Sequence, residues 1–109
     1  MRTKHYFLVL LALFALVTTA NAQPRKSIEG QVKDGSNGEF LPGAAIFLDG
    51  TNYATISDLG GYYAIHGVPA GSYTLKVSYI GYEEYAKSVS VSSGQVLTHN
   101  IDLQPAFIE

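Results

Sequence analysis

The stretch Ser72-Tyr73-Thr74-Leu75-Lys76-Val77-Ser78-Tyr79 decides the fold. Tyr73, Leu75, Val77 and Tyr79 recur at every second position, with Thr74, Lys76 and Ser78 between them. Successive side chains of an extended chain point to opposite faces. This spacing therefore gives one apolar and one polar face, whereas on a helix the same four residues would scatter around the axis. Aromatic and β-branched side chains suit a pleated surface packed against a second layer. The segment is predicted to be a strand, and a central one.

The same period holds on both sides of it. Upstream, Val68-Pro69-Ala70-Gly71 makes a turn, with Pro69 and Gly71 as its turn residues. Two short runs, 53–57 and 62–66, flank Asp58-Leu59-Gly60-Gly61, whose aspartate and paired glycines predict a tight hairpin between antiparallel neighbours. The run 44–48 has Ile46 and Phe47 on opposite faces, predicts a short strand covered on both sides, and is turned by Asp49-Gly50. The run 27–34 places Ile28, Gly30 and Val32 on one face and Glu29, Gln31 and Lys33 on a wet one. The loop between these two runs contains Asp34-Gly35, Asn37-Gly38 and Pro42-Gly43, the last favouring a type II turn.

Downstream, Gly81 interrupts the alternation and marks a bend or bulge. Beyond it Tyr85, Val89 and Val91 share a phase that Lys87 breaks, and the last run puts Leu97, Ile101 and Leu103 in phase with His99. Lys87 and His99 are accommodated by a strand end, where a polar tip reaches water, or by a bulge that shifts the phase. Seven short strands with glycine-rich turns predict an all-β, antiparallel two-sheet β-sandwich, because one sheet alone would leave its apolar face wet. Tyr53, Tyr62, Tyr63, Tyr73, Tyr79, Tyr82 and Tyr85 have apolar rings with polar tips and suit sheet faces half covered by the partner sheet.

The chain opens differently. Arg2 and Lys4 precede an apolar run from position 7 to 17, followed by Thr18-Thr19-Ala20-Asn21-Ala22. Basic start, short apolar run and small residues at an A-x-A site are the marks of a secretory signal peptide cleaved after Ala22. A spanning helix needs about 20 apolar residues and this run stops short, so no transmembrane segment is expected after cleavage. The expected organisation is signal peptide 1–22, short linker 23–26, sandwich 27–104 and C-terminal tail 105–109.

Cleavage after residue 22 leaves 87 of the 109 residues, enough for one modest core. That part carries five Lys or Arg against nine Asp or Glu, a formal charge of −4. After Arg25-Lys26 the cations stand singly, so no basic patch exists to bind nucleic acid. The chain has no cysteine, so packing alone must hold an exported domain together, and a lipid-anchored cysteine is excluded.

Chemistry-bearing patterns are sparse. His66 and His99 lack the neighbouring histidines and glutamate of a zinc hydrolase site. His99 and Asp102, three apart on a strand, point to opposite faces. Asp49 and Asp58 fall short of the six or more oxygens that calcium requires, and Asp58 is better used to bond its own turn. No nucleophile elbow or phosphate loop occurs, since the glycines stand singly or in pairs between strands. Catalytic residues, metal and cofactors are accordingly expected to be none. Exposed tyrosines could stack on sugar rings, with Tyr53, Tyr62 and Tyr82 as the candidate glycan- or partner-contacting residues, and a strand edge offers a second route to a partner. Pro42, Gly43, Asp58, Gly60, Gly61, Pro69, Gly71 and Gly81 are assigned structural turn roles.

Five stretches carry a resemblance: Ile28-Glu29-Gly30-Gln31-Val32, Leu41-Pro42-Gly43-Ala44, Asp58-Leu59-Gly60-Gly61-Tyr62-Tyr63, Val68-Pro69-Ala70-Gly71-Ser72-Tyr73-Thr74-Leu75 and Val77-Ser78-Tyr79-Ile80-Gly81-Tyr82. Together they resemble the carboxypeptidase regulatory-like domain. The resemblance implies a seven-stranded, transthyretin (prealbumin)-like sandwich of Greek-key type. The last stretch is similar to the N-terminal extension of TonB-dependent outer-membrane receptors that import glycans and other large nutrients. In those receptors the sandwich is followed by an energy-coupling segment (the TonB box), a plug and a barrel. The resemblance thus implies a non-catalytic accessory domain, located in the periplasm or outer membrane of a Gram-negative bacterium. Its expected partners are the receptor's plug and barrel or its surface and periplasmic associates, with glycan as a further ligand. The expectation is that 109 residues represent the N-terminal part of such a receptor, since every strand is already committed to the sandwich and none is left for a barrel. The alternative is a stand-alone exported module that binds carbohydrate or protein or mediates adhesion.

Overall fold

The structure, a computed structural model, describes residues 25–106. Residues 1–24, which include the expected signal peptide, and residues 107–109 lie outside the described residues. Eight strands follow one another: β1 (Lys26–Asp34), β2 (Ala45–Leu48), β3 (Ala54–Ile56), β4 (Tyr62–His66), β5 (Gly71–Ser78), β6 (Tyr85–Val91), β7 (Leu97–Thr98) and β8 (Ile101–Leu103). They form two sheets. One has the order β4-β1-β7 with β8 also paired to β1, and the other has the order β3-β2-β5-β6. No helix among the described residues is long and apolar enough to cross a membrane.

The alternation seen in the sequence is the burial seen in the fold. Ile28 and Val32 of β1 and Ile101 and Leu103 of β8 face Ile46 and Leu48 of β2 and Leu75 and Val77 of β5, and all eight are fully buried. Two strands from each sheet thus supply the centre of the core, with Tyr63 and Ile65 of β4 and Val89 and Val91 of β6 extending it. Burying each such aliphatic side chain stabilises the fold by about 1.5–3 kcal/mol. β5 is interior, as its sequence predicts, and pairs with β2 on one side and β6 on the other.

Four details differ from the sequence reading. First, β3 and β4 do not form a hairpin. Asp58 closes a tight turn, its N–H donating to the Tyr62 carbonyl at 2.9 Å, but β3 then pairs with β2 and β4 with β1. The turn chemistry reverses the chain, and long-range burial sends its two arms to opposite sheets. The true hairpin joins β2 and β3 through the Asp49-Gly50 turn, where Leu48 N–H donates to the Tyr53 carbonyl.

Second, β2 is covered on one side only. Ile46 is fully buried and Phe47 half-buried, because Phe47 points away from the partner sheet and lies opposite Lys76 in the ladder. Third, the sandwich is not wholly antiparallel. The C-terminal run pairs with β1 in parallel, Ile28 with Leu97 and Val32 with Ile101, so one register runs through β7 and β8. The eighth strand arises because His99 and Asn100 interrupt this run while the register continues.

Fourth, Lys87 is neither at a strand end nor beside a bulge. The β5–β6 register is continuous from Gly71 opposite Val91 to Val77 opposite Tyr85, and Lys87 lies opposite Leu75 in its middle. It is exposed because β6 is the outer strand of its sheet. His99 does sit at an interruption, half-buried, with its Nε2 2.8 Å from the Tyr85 hydroxyl.

The tyrosines divide as rim residues should. Tyr53, Tyr73, Tyr79, Tyr82 and Tyr85 are half-buried against the core, Tyr63 is buried and Tyr62 is exposed. At the C-terminal end, Tyr82 bridges Pro105 and the Ala106 N–H donates to the Gly81 carbonyl at 2.9 Å, so the start of the tail is tied to the turn after β5.

Candidate functional site

A groove of about 590 Å³ runs over the outer face of the β4-β1-β7 sheet. Its floor follows from the wet phases of three strands. Glu29 and Gln31 come from β1, Tyr62 and His66 from β4, and Thr98 with Asn100 from the C-terminal run. These positions are neighbours because Gln31 pairs with Tyr62, Glu29 with Ala64, and Glu29 with Thr98 across the ladders. Thr55 and Ile56 of β3 and Asp58 of the corner form one wall, placed there because β3 belongs to the other sheet.

Hydrogen bonds hold the floor in place. The Gln31 backbone N–H donates to Asn100 Oδ1 at 3.2 Å, and Gln31 Nε2 donates to the Gly60 carbonyl at 2.9 Å. The Asp58 carboxylate accepts from the N–H groups of Gly60 at 3.0 Å and Tyr62 at 2.9 Å. Lys26 Nζ lies 3.5 Å from Glu29 Oε2, so the two charges at one end offset each other. Ile56 is 67% and Tyr62 59% exposed, which leaves two large apolar surfaces bare beside polar groups.

Of the candidate contact residues, only Tyr62 lies in this groove. Tyr53 packs against the core at the β2–β3 end. Tyr82 stacks on Tyr79 with centroids 5.5 Å apart and donates its hydroxyl proton to Asp34 Oδ2 at 2.6 Å. The structure does not bring the three tyrosines together. Of the assigned turn residues, Gly43, Gly61 and Gly81 have positive φ, and the Pro69 carbonyl accepts from Tyr73 Oη. Pro42-Gly43 folds onto β3, with Gly43 N–H donating to the Ser57 carbonyl, and Gly71 begins β5.

Gln31, Thr98, Asn100, Glu29 and Ile56 are site residues that sequence reasoning did not single out. The wet alternation of β1 signals that Glu29 and Gln31 face out, but Thr98, Asn100 and Ile56 lie on other runs. Which outward residues become neighbours depends on the β1–β4 and β1–β7 registers, which are long-range.

The strongly perturbed ionisable groups serve the fold. Hydrogen bonds from Ser36 and then Tyr82 lower the buried Asp34 carboxyl to about 2, and the bond to Asp34 raises the Tyr82 phenol to about 12. Burial pushes Tyr63 and Tyr85 upward and His99 downward, with the charge of Lys87 adding to the His99 shift. Because Asp34 binds its proton more weakly when folded than when unfolded, the unfolded chain is protonated first on acidification. Its contribution is complete above pH 4 and is lost as the pH falls toward 2. Acid unfolding of Asp34→Asn should therefore show a shallower fall in stability than the parent between pH about 4 and 2, read by chemical denaturation at each pH. Identical slopes would contradict the assignment.

Among the described residues no three His, Asp or Glu side chains gather where they could hold a metal ion. His99 is engaged with Tyr85 while Asp102 lies 3.8 Å from Lys33, and Asp49 lies 3.6 Å from Lys76, away from Asp58.

The family model of the CarboxypepD_reg-like domain matches residues 28–109. No curated protein sequence matches the chain. Among solved structures, 5-hydroxyisourate hydrolase from Klebsiella pneumoniae is similar at 16% identity and a TM-score of 0.58, with 76% of this chain and 93% of that one covered. The minor pilin GBS52 from Streptococcus agalactiae is similar at 17% identity and a TM-score of 0.56, over 77% of this chain and 46% of that one. A type II cohesin-X-dockerin complex from Acetivibrio cellulolyticus contains a chain similar at 19% identity and a TM-score of 0.54, over 71% of this chain and 53% of that one. The chain thus spans about half the length of the pilin and of the cohesin-X-dockerin chain. At these identities the likeness is one of fold, a transthyretin-like sandwich.

Proposed function

We propose a function from one premise: the chain belongs to the CarboxypepD_reg-like domain family. The proposed function is that of an exported, non-catalytic accessory module, sited in the periplasm at the N-terminus of a TonB-dependent outer-membrane nutrient receptor. It contributes contacts to the receptor or its associates and leaves import to a plug and barrel. The observation that carries this reading is the family match over residues 28–109, which includes the Val77-Ser78-Tyr79-Ile80-Gly81-Tyr82 stretch that resembles such receptors.

Side-chain chemistry supports binding over turnover. Three groups of the kind an enzyme uses are engaged in holding the fold: Asp58 in its turn, Tyr63 with the His99 carbonyl and His99 Nε2 with Tyr85. The likeness to a hydrolase, at 16% identity, carries the fold and no chemistry. Occurrence of the fold in a pilin and in a cohesin-X-dockerin complex favours a second reading, a stand-alone exported module for adhesion or assembly.

The coding sequence separates the two. The receptor reading expects the reading frame to continue past Glu109 into a short energy-coupling segment, a plug and a barrel. A stop codon directly after Glu109 would reject it and leave the stand-alone module.

A further inference from the structure

We infer that the groove over the β4-β1-β7 sheet is a binding site for a neutral oligosaccharide, with Tyr62 as the platform for a sugar ring and Gln31, Thr98 and Asn100 as partners for its hydroxyls. The inference builds on the reading of the chain as a binding module and assigns a ligand class to it.

Charge selects the ligand. Lys26 and Glu29 face each other at 3.5 Å, and Asp58 Oδ1 is held in its own turn by two backbone N–H groups. A charged ligand would need an opposite charge free to meet it, and Lys26 and Glu29, already paired with each other, do not supply one. What the groove offers instead is neutral and polar. Asn100 uses its Oδ1 on the Gln31 backbone, which turns its amide N–H groups outward as donors. Gln31 uses its Nε2 on Gly60, which leaves its amide oxygen as an acceptor. Thr55 and Thr98 add hydroxyls that make no side-chain hydrogen bond among the described residues.

A purely apolar ligand would strip water from these groups without replacing it, leaving each of them unpaired at a cost to binding. A ligand rich in hydroxyls replaces the water with bonds of the same kind. A sugar ring is such a ligand, and its C–H face also needs an apolar surface. The exposed ring of Tyr62, with Ile56 beside it, supplies that surface within the same groove. Adjacent strands set the donors and acceptors about 4.8 Å apart on a rigid sheet, so the polar row is formed before the ligand arrives. The volume falls within the roughly 300–1,000 Å³ of ordinary ligand sites.

The test is titration of the purified chain with oligosaccharides of glucose, mannose, galactose, xylose and arabinose. Oligogalacturonate serves as the anionic probe, chitosan oligomers as the cationic probe, and a strand-forming peptide rich in Val and Thr as the protein-like probe. Saturable binding to at least one neutral sugar is expected, with amide shifts in NMR spectra confined to Gln31, Tyr62, Thr98, Asn100 and their neighbours. Tyr62→Ala should weaken that binding about ten-fold and Tyr62→Phe by less than three-fold, since the phenyl ring keeps the stacking surface. Failure of every neutral sugar to bind, shifts mapped elsewhere, or tighter binding of a charged sugar or the peptide overturns the assignment. Unchanged affinity in Tyr62→Ala does so as well. The accessory reading is decided by the reading frame beyond Glu109, so either proposal can fail while the other stands.

Discussion

Gly30→Ala is expected to unfold the domain at room temperature or to lower its stability by about 3–5 kcal/mol. Position 30 lies on the core-facing phase of β1 between Ile28 and Val32, where an apolar side chain would ordinarily stand. Here the space is taken. A Cβ on Gly30 would lie 2.7 Å from the His99 carbonyl carbon, closer still to its oxygen, and 2.9 Å from Tyr63 Cε1. Neither neighbour can retreat cheaply. His99 N–H donates to the Glu29 carbonyl at 2.8 Å, its carbonyl accepts the Tyr63 hydroxyl, and Tyr63 is buried.

Relief would therefore require breaking the ladders that join β1 to β4 on one side and to β7 and β8 on the other. Overpacking commonly costs about 1–3 kcal/mol when side chains can shift, and backbone on both sides raises that figure. A domain this small starts with little more than roughly 5–10 kcal/mol in hand. Gly43→Ala is the control. Its φ of +83° must be held by a residue with a Cβ, but nothing lies within 4 Å of that Cβ. It should cost about 1–2 kcal/mol. Urea unfolding of both variants measures the difference, and a Gly30→Ala midpoint equal to that of Gly43→Ala would refute the packing account.

Gly30 also shows where sequence reasoning reaches its limit. Period-two burial made the strands legible: Ile28 and Val32, Leu75 and Val77, Val89 and Val91, Ile101 and Leu103 all point inward as their spacing indicates. It also made the central place of β5 legible, since a strand that alternates through four full cycles is rarely an edge. Pairing was less accessible. Asp58-Leu59-Gly60-Gly61 specifies a reversal, and its carboxylate and backbone make the bonds such a turn requires. Local chemistry, however, cannot say whether the arms zip together or part. That choice is made by Ala45 meeting Ile56 and Gln31 meeting Tyr62, contacts between segments distant in sequence. The parallel pairing of the last run with β1 has the same origin, as does the exposure of Lys87 on an outer strand.

The groove was legible only by halves. That Glu29 and Gln31 face water follows from their phase, whereas Tyr62, a candidate on residue type, lies in the groove because Gln31 pairs with it across the ladder. That Thr98 and Asn100 join them follows from the β1–β7 register, and that Ile56 forms a wall follows from β3 crossing to the other sheet. Grouping Tyr62 with Tyr53 and Tyr82 rested on residue type alone. Tyr82 is drawn away by a partner that the sequence hides, the buried Asp34, 48 positions earlier.

Leu75→Ala should destabilise the domain by about 2–5 kcal/mol and lower its melting temperature by roughly 10–40 °C. Leu75 is fully buried at the middle of β5, paired with Leu48 on one side and Lys87 on the other, and it faces the opposite sheet. Removing three carbons forfeits their transfer from water and leaves a void that two hydrogen-bonded neighbours prevent from closing. Ile80 lies five residues on, just beyond the end of β5, and is equally apolar, yet it is 94% exposed. Ile80→Ser should change stability by less than about 0.5 kcal/mol. The pair separates burial from hydrophobicity: composition alone would rank the two substitutions as equals, whereas the two-layer sandwich ranks them at least four-fold apart. Thermal unfolding followed by circular dichroism decides it. Comparable losses for both variants would mean that the 72–79 strand is not the inner strand of a packed sheet, and the groove, whose floor is the outer face of the sheet packed against it, would lose its support.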